Sequence, residues 1–183
     1  MKEGALPLIS FERHTDVKAP DMAPLLALYR ESFPLHEQRL PADWSPALAD
    51  DAFHCLSVLH DGAFAGLLCA WSLENWRYIE HFAILPAMRG QGMGAQALDA
   101  YCARHPQVVL EIDPPVDETS IRRLGFYERC GFVRNPYDHL HPAYRPGYAP
   151  HALVLMSIPR AMRDAEYAAF AHALRVRVMR SLS

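Results

Sequence analysis

The strongest constraint in the sequence is a glycine-rich loop, Arg89-Gly-Gln-Gly-Met-Gly-Ala95, in which three glycines occupy alternate positions. A strand pattern over residues 78–85 precedes the loop, and apolar residues at helical spacing follow it from residue 97. Because glycine has no Cβ, successive N–H groups can converge on an anion, and the start of the following helix adds a partial positive charge. The loop therefore predicts a pyrophosphate site, with Arg89 as an additional cation.

Two classes of ligand can be bound by such a loop. The spacing Gly90-x-Gly92-x-x-Ala95 is close to the dinucleotide fingerprint, and Glu111 follows at about the distance of its acidic ribose ligand. However, the loop follows a hairpin pattern instead of opening the chain, and only one strand–helix–strand unit is recognisable. The dinucleotide interpretation is kept as an alternative.

Length and charge exclude several other classes. A chain of 183 residues predicts one domain, 1–183, with a helical extension from about residue 159. Lys and Arg number 18 against 21 Asp and Glu, so no basic surface for nucleic acid is expected. The longest apolar stretch, residues 63–71, is too short for a membrane span, and residues 1–10 lack a signal-peptide pattern. These features predict a cytoplasmic protein.

No metal site is predicted. The cysteines have no paired spacing, so we expect reduced and mostly buried thiols at Cys55, Cys69, Cys102 and Cys130. His139 and His141 form a close pair, but they lie in a proline-rich segment and are interpreted as residues of a solvated loop.

The periodicity along the chain predicts an α/β fold of the α+β type. Helical spacing is found at residues 22–33, from 94, at 119–130 and at 167–178. Strand patterns cover residues 55–59, 64–71, 78–85, 108–112 and 151–158. Residues 134–150 contain four prolines, Pro136, Pro142, Pro146 and Pro150, and are predicted to form a long surface loop.

Two segments resemble a known family. Arg89-Gly-Gln-Gly-Met-Gly94 resembles the Q/R-x-x-G-x-G/A signature of the GNAT superfamily of acyl-CoA-dependent N-acetyltransferases. Phe126-Tyr-Glu-Arg-Cys-Gly-Phe132 is similar to that superfamily's "lYeklGF" segment. The resemblance covers about residues 15–158 and implies a mixed, mostly antiparallel sheet flanked by helices. It also implies that the central strands, 78–85 and 108–112, splay apart.

The resemblance further implies a binding site for acetyl-CoA as cosubstrate. Backbone groups of Phe82, Ala83 and Ile84 would pair with the pantetheine arm. The pyrophosphate would be wrapped by the loop residues Arg89, Gly90, Gln91, Gly92, Met93, Gly94 and Ala95. Ser120 stands where the family often has Asn, so a pantetheine contact from that helix is left open.

Amide formation from a thioester requires a proton for the leaving thiolate and an acceptor for the protons of the amine. The resemblance assigns the first role to Tyr127. Strand alternation places Glu80 on one face with Phe82 and Ile84, so Glu80 is the first candidate base, and it places His81 on the opposite face. Glu111 is the rival base. We therefore expect the loss of Glu80 to lower turnover more than the loss of Glu111.

Acidic residues at the end of strand 108–112 favour a cationic acceptor: Asp113, Asp117 and Glu118. We expect transfer of an acetyl group to a primary amine of a small molecule or peptide, by direct attack in a ternary complex. The alternative is a non-catalytic module of this fold that binds or senses coenzyme A.

Other residues near these elements have two interpretations each. Arg122 and Arg123 can meet either the 3′-phosphate of the cosubstrate or the acidic strand ends. The tyrosines of the proline-rich segment can line the acceptor site or a homodimer contact: Tyr137, Tyr144 and Tyr148.

Overall fold

The computed structural model describes residues 8–179, which form a mixed sheet with helices on both faces. The helices are α1 (Met22–Ser32), α2 (Trp44–Leu48), α3 (Met93–Cys102), α4 (Glu118–Arg129) and α5 (Asp164–Ala173). The strands are β1 (Ile9–His14), β2 (Phe53–His60), β3 (Ala63–Leu73), β4 (Trp76–Ile84), β5 (Val108–Ile112), β6 (Val133–Arg134), β7 (His139–His141) and β8 (His151–Ile158).

The strand order is β1-β2-β3-β4-β5-β8-β6, with β7 also paired to β8. Each of these pairs is antiparallel except β4 with β5, which run parallel. The predicted α+β fold with a mixed, mostly antiparallel sheet is confirmed.

The parallel pair separates along its length. Hydrogen-bonded register between β4 and β5 covers only Arg77–Val108, Tyr78–Val109 and Ile79–Leu110. Beyond these pairs β4 continues to Ile84 and β5 continues to Ile112 without further pairing to each other. The predicted splay is confirmed, and it opens a gap in the centre of the sheet.

Two apolar layers cover the two faces of the sheet. One layer packs α1, α2 and α5 against the sheet through side chains such as Leu25, Trp44 and Phe170. The other packs α3 and α4 through side chains such as Leu98 and Leu124. Burial of apolar surface on both faces explains why β3 reads as an almost continuous apolar run.

The proline-rich segment is more ordered than predicted. The prediction of a long surface loop over residues 134–150 is wrong for β7, which pairs with β8 in the register His139–Leu153 to His141–His151. Pro136 and Pro142 lie on either side of this three-residue strand. Proline excludes only the position that it occupies from a hydrogen-bonded ladder, so short pairing between prolines is permitted.

Several elements carry no clear signal in the sequence. β1 and α2 were not predicted, whereas β5 and β8 have the predicted bounds. The C-terminal helix continues as a π-helical turn, Leu174–Val178. No helix within residues 8–179 is long and apolar enough to cross a membrane. Most of the segment assessed for a signal peptide, residues 1–7, lies outside the described residues.

Candidate active site

A cleft of about 840 Å³ lies where β4 and β5 diverge. Its walls come from the glycine-rich loop, the free ends of β4 and β5, one side of α4 and the segment around β7. The lining includes Phe82, Ala83, Ile84, Arg89, Gly90, Gly92, Met93, Gly94, Ala95, Glu80, Glu111, Tyr127, His141 and Tyr144. The structure thus brings the predicted loop, strand and tyrosine residues to one cleft.

The loop end of the cleft is shaped to receive an anion. Gly92 is the N-cap of α3 and has a φ of +76°, a conformation that strains any residue with a side chain. The first N–H groups of α3 have no partner within a regular helix, and they carry the positive end of its dipole. A Cβ at Gly94 would lie 3.3 Å from the Phe126 ring, so the loop packs closely onto α4. These features fit a pyrophosphate.

Two polar side chains hold the loop to its surroundings. The Arg89 Nε donates to the Ile84 carbonyl over 2.9 Å, so its guanidinium is tied to the end of β4 beside the cleft. The Gln91 side chain donates to the Ala87 carbonyl over 3.0 Å and does not line the cleft. Gln91 therefore supports the loop, and its side chain is placed away from the ligand space.

Tyr127 lies on α4 and lines the cleft next to Phe126. Its ring makes edge contacts with Phe126 and Phe132, with centroid distances of 5.1 and 5.8 Å. Burial raises the pKa of Tyr127 to about 12, so the hydroxyl keeps its proton at neutral pH. A protonated phenol in a cleft can serve as an acid.

Ser120 lies outside the lining of the large cleft. Its hydroxyl accepts hydrogen bonds from the Val116 and Asp117 N–H groups, at 3.1 and 3.0 Å, as part of the capping box of α4. Ser120 is not among the residues that line the large cleft. The structure therefore places this residue in a helix cap.

The prediction that Glu80 shares a face with Phe82 and Ile84 is wrong. The register between β3 and β4 shifts from Cys69–His81 to Ala70–Ile79, which leaves Glu80 as an extra residue in a β-bulge. Glu80 and His81 consequently both point to the α1 side of the sheet, where Glu80 bonds to Trp71 and His81 packs on Tyr29.

Phe82 and Ile84 belong to the opposite apolar layer. The expectation that His81 faces away from Glu80 is therefore also wrong, because both side chains meet Tyr144. His81 is a packed residue, since its ring also lies 4.6 Å from that of Phe33 and it is 4 % exposed.

The Glu80 carboxylate forms an ion pair with Arg39, whose guanidinium is permanently charged. Arg39 donates to it over 2.7 Å, Trp71 over 2.8 Å and Tyr144 over 2.9 Å. Both partners of the Arg39–Glu80 ion pair are almost completely buried. Burial alone would raise the pKa of Glu80, but the charge of Arg39, the charge of His81 and the hydrogen bonds hold it below its usual value.

The Glu111 carboxylate, at the end of β5, is surrounded by groups that can be neutral. Tyr78 donates its hydroxyl proton to Glu111 over 2.5 Å, and His139 Nε2 hydrogen bonds with the other carboxylate oxygen. His141 Nε2 lies 3.7 Å from Glu111 Oε2. Burial would raise the pKa of Glu111, but positive charge on His141 and the contacts with His139 and Tyr78 lower it.

The sequence interpretation of His139 and His141 as solvated residues is wrong. They are only 3 % and 1 % exposed, whereas Leu140 between them is 60 % exposed. The alternation His-x-His on a strand places both imidazoles on one side, and this pattern was the available signal. Within residues 8–179 no group of three or more His, Cys, Asp and Glu side chains is arranged to hold a metal ion.

The lining of the cleft includes further acidic groups. Glu37 and Asp113 both line it, and burial, followed by the charge of Asp113, raises the pKa of Glu37. Arg123 pairs with Asp113 over 2.6 Å, so this arginine meets the acidic strand end. Arg122 lies 3.7 Å from Glu118 on the exposed side of α4.

The remaining candidates have separate places. Tyr144 lines the cleft, whereas Tyr137 bonds to the Met162 carbonyl and Tyr148 is exposed. All four cysteines are free thiols, of which Cys55 and Cys69 are buried and Cys102 and Cys130 are partly exposed.

Comparison with known families decides the class of protein. A family model described as the acetyltransferase (GNAT) family matches residues 21–132, more than half of the chain. The chain belongs to the GNAT acetyltransferase family. The protein is therefore an acetyltransferase, and acetyl-CoA is the cosubstrate of this family. No curated protein sequence matches the chain.

Solved structures agree with this membership. A GNAT-family putative acetyltransferase from Bacteroides thetaiotaomicron is 30% identical, with a TM-score of 0.85 over 93% of this chain and 98% of that chain. A GNAT acetyltransferase from Elizabethkingia anophelis, solved with acetyl-CoA bound, is 15% identical, with a TM-score of 0.53 over 81% and 96%. The ribosomal-protein-S18-alanine N-acetyltransferase from Escherichia coli is 16% identical, with a TM-score of 0.58 over 86% and 96%. The latter two show the shared fold.

Proposed function

We propose that this GNAT protein transfers the acetyl group of acetyl-CoA to a primary amine of a small molecule or peptide, by direct attack in a ternary complex. The observation that carries the proposal is the continuity of the cleft. Its lining runs from the glycine-rich loop past the protonated Tyr127 to the buried Glu111. An anion site, an acid and a route for the protons of the amine thus meet in one space.

The cosubstrate would be held mainly by backbone groups. N–H groups of Gly90, Gly92 and Gly94 and the first turn of α3 would bind the pyrophosphate. The pantetheine arm would lie along Phe82, Ala83 and Ile84, because this part of β4 has no pairing to β5 and both strands border the cleft. An extended arm can satisfy such open strand edges.

Tyr127 would protonate the departing thiolate, for which its retained proton and its place on the cleft wall are suited. Of the two candidate bases, Glu111 is the better supported. Glu80 is committed to Arg39, so we assign it to positioning Arg39 and Tyr144. Glu111 contacts imidazoles that can exchange a proton.

The acceptor is proposed to be cationic. Glu37, Asp113 and Glu111 line the cleft, and their negative charge favours a protonated amine. The E. coli relative named above acetylates an alanine of a ribosomal protein, and its fold is shared at low identity, so a peptide amine is included among the acceptors to be tested.

The proposal is tested by thiol release from acetyl-CoA with spermidine, lysine, an aminoglycoside and a short peptide with a free N-terminus. We expect amine-dependent thiol release together with an acetylated product by mass spectrometry. A reaction without acceptor is the control. Binding of acetyl-CoA with no amine-dependent release would support the sensing module instead and overturn the proposal.

The cosubstrate site has its own control variant. Gly92→Val places a branched side chain where φ is +76° and blocks the approach of phosphate. We expect the thermal stabilisation of the parent by acetyl-CoA to be lost in this variant. The same stabilisation in both proteins would refute the assignment of the loop.

The acid is tested by Tyr127→Phe, which keeps the ring contacts with Phe126 and Phe132 and deletes the hydroxyl. We expect kcat to fall about tenfold to a thousandfold, with affinity for acetyl-CoA unchanged. Unchanged kcat under saturating amine would remove Tyr127 from the mechanism.

A further inference from the structure

We propose that His141 is the catalytic base that takes the first proton from the acceptor amine, and that Glu111 stabilises the resulting imidazolium. The proposal rests on the proposed function, because it requires an amine in the cleft. It goes beyond it by transferring the role of base from a carboxylate to a histidine of β7. The argument rests on the hydrogen bonds, burial and neighbours of the His141 ring.

A hydrogen bond at Nδ1 fixes the tautomer of His141. Nδ1 lies 2.6 Å from the carbonyl oxygen of Pro142. A carbonyl oxygen only accepts hydrogen bonds, so Nδ1 must carry the proton. In the neutral ring Nε2 therefore has a lone pair, and this nitrogen is the one that can accept a proton.

Within residues 8–179 no other hydrogen bond occupies the lone pair of Nε2, the nitrogen that would accept the proton. His141 Nε2 is buried and has no hydrogen-bond partner within the described residues. A buried polar atom without a partner carries a free-energy cost and is uncommon in folded proteins. His141 lines the cleft, so an amine bound there can supply the missing hydrogen bond once the side chains that cover Nε2 shift.

Stacking holds the ring in this orientation. The Tyr144 ring lies 4.8 Å from the His141 ring at an interplanar angle of 23°, and the His151 ring lies 5.6 Å away at 33°. The side chain of His141 is only 2% exposed. A base held by stacking and by a backbone carbonyl needs little reorganisation when it accepts the proton.

The carboxylate of Glu111 lies close to the His141 ring. Glu111 Oε2 is 3.7 Å from His141 Nε2, close enough to stabilise a positive imidazolium by charge. Tyr78 and His139 hydrogen bond with Glu111 and fix its position on β5. Glu111 is therefore a positioning and charge-stabilising residue, and His141 is the group that meets the amine.

A second buried histidine shows that this arrangement is specific. His14 is 4% exposed and also lies near a carboxylate, with Nδ1 3.4 Å from Asp21. However, its Nε2 hydrogen bonds with Ser57 over 2.7 Å, and it does not line the cleft. His14 has partners on both nitrogens and no access to substrate, so it provides a matched control.

The step balances in atoms and charge. The ammonium nitrogen gives one proton to His141 Nε2, and the neutral amine attacks the thioester carbonyl carbon as the C–S bond breaks. Tyr127 gives its proton to the thiolate, and the second proton lost by the nitrogen restores the phenol. His141 then releases its proton to solvent. The net products are the amide, the free thiol and one proton.

The tautomer can be measured without any acceptor. We expect ¹⁵N NMR of histidine-labelled protein, at mildly alkaline pH, to show a protonated Nδ1 and an unprotonated Nε2 for His141. The signal is assigned by its absence in His141→Gln. A protonated Nε2 in the neutral ring would overturn the proposal, because that nitrogen would have no lone pair to offer.

The kinetic test uses the amine with the highest kcat/KM in the screen. We expect His141→Gln and His141→Gly to lower kcat by about 10²-fold to 10⁴-fold while acetyl-CoA affinity is kept. Added imidazole should restore part of the rate to His141→Gly by entering the space that the ring leaves. His14→Gly should keep the parent rate per folded molecule and show no response to imidazole.

Three outcomes separate the claims. Parental kcat in a folded His141→Gln overturns this inference alone and returns the role of base to Glu111. A large loss in His141→Gly without rescue by imidazole, together with loss of acetyl-CoA affinity, identifies a structural role and also overturns it. No turnover of any amine by the parent overturns the proposed function, and the inference with it.

Discussion

Two buried carboxylates lie on neighbouring strands of this sheet, and their surroundings differ in one respect. Glu80 on β4 is paired with the guanidinium of Arg39, which stays protonated at all accessible pH values. Glu111 on β5 is surrounded by two imidazoles and a phenol, which can be neutral. Removing one partner of a fixed ion pair leaves an uncompensated buried charge, whereas a carboxylate beside imidazoles can respond to the movement of a proton.

The largest expected effect is the loss of stability in Glu80→Gln. The substitution removes the negative charge that compensates the buried guanidinium of Arg39, so we expect the free energy of unfolding to fall by about 3–5 kcal/mol. Urea unfolding followed by circular dichroism measures it. Replacing both partners by apolar residues, as in Arg39→Met with Glu80→Leu, should cost less than the sum of the single changes. A loss below about 1 kcal/mol in Glu80→Gln would show that the folded state does not depend on the Glu80 charge to compensate Arg39.

A smaller loss of stability is expected for Glu111→Gln. The amide can still accept the hydrogen bond of Tyr78, and the neighbouring groups in the described part of the chain include no permanently charged guanidinium, so no fixed buried charge is left uncompensated. We expect the free energy of unfolding to fall by about 1–2 kcal/mol in the same urea experiment. A loss as large as that of Glu80→Gln would remove the distinction between the two sites.

The smallest expected effect is on the loss of folding stability at acidic pH. The folded-state pKa of Glu80 is held below its ordinary value of 4.5, so the ionised group stabilises the fold above that value. This contribution is lost as the pH falls through the lowered folded-state pKa. Between about pH 6 and about pH 4, the loss of stability should be smaller in Glu80→Gln than in the parent by about 1 kcal/mol. Equal losses in the two proteins would show that Glu80 has no depressed pKa in the folded state.

The fold and the glycine-rich end of the cleft were predictable because their signals are local. The loop around Gly92 requires a left-handed conformation that glycine provides, and the helix that follows has its own apolar periodicity. The segment around Tyr127 likewise carries its helix and its ending at Gly131 within a few residues. Such features need no knowledge of distant contacts.

The surroundings of Glu80 and Glu111 were not predictable to the same degree, because they depend on tertiary register. A single β-bulge at Glu80 reverses the face expected from alternation, and the sequence around Glu80 contains no glycine or proline that would announce it. The burial of His139 and His141 depends on the pairing of β7 with β8. Only the alternation of His139, Leu140 and His141 indicated a strand face, and the neighbouring prolines obscured it.

The central claim is that the first proton of the amine leaves through the Glu111 side of the cleft and not through Glu80. The most direct measurement compares kcat/KM for thiol release, per folded molecule, in Glu111→Gln and Glu80→Gln with the same amine. The account predicts a fall of about 10²-fold or more for Glu111→Gln and of less than about tenfold for Glu80→Gln. The order is opposite to the one that strand alternation predicted from the sequence. A larger fall in Glu80→Gln, with acetyl-CoA affinity preserved in both variants, would contradict the account and return Glu80 to the role of base.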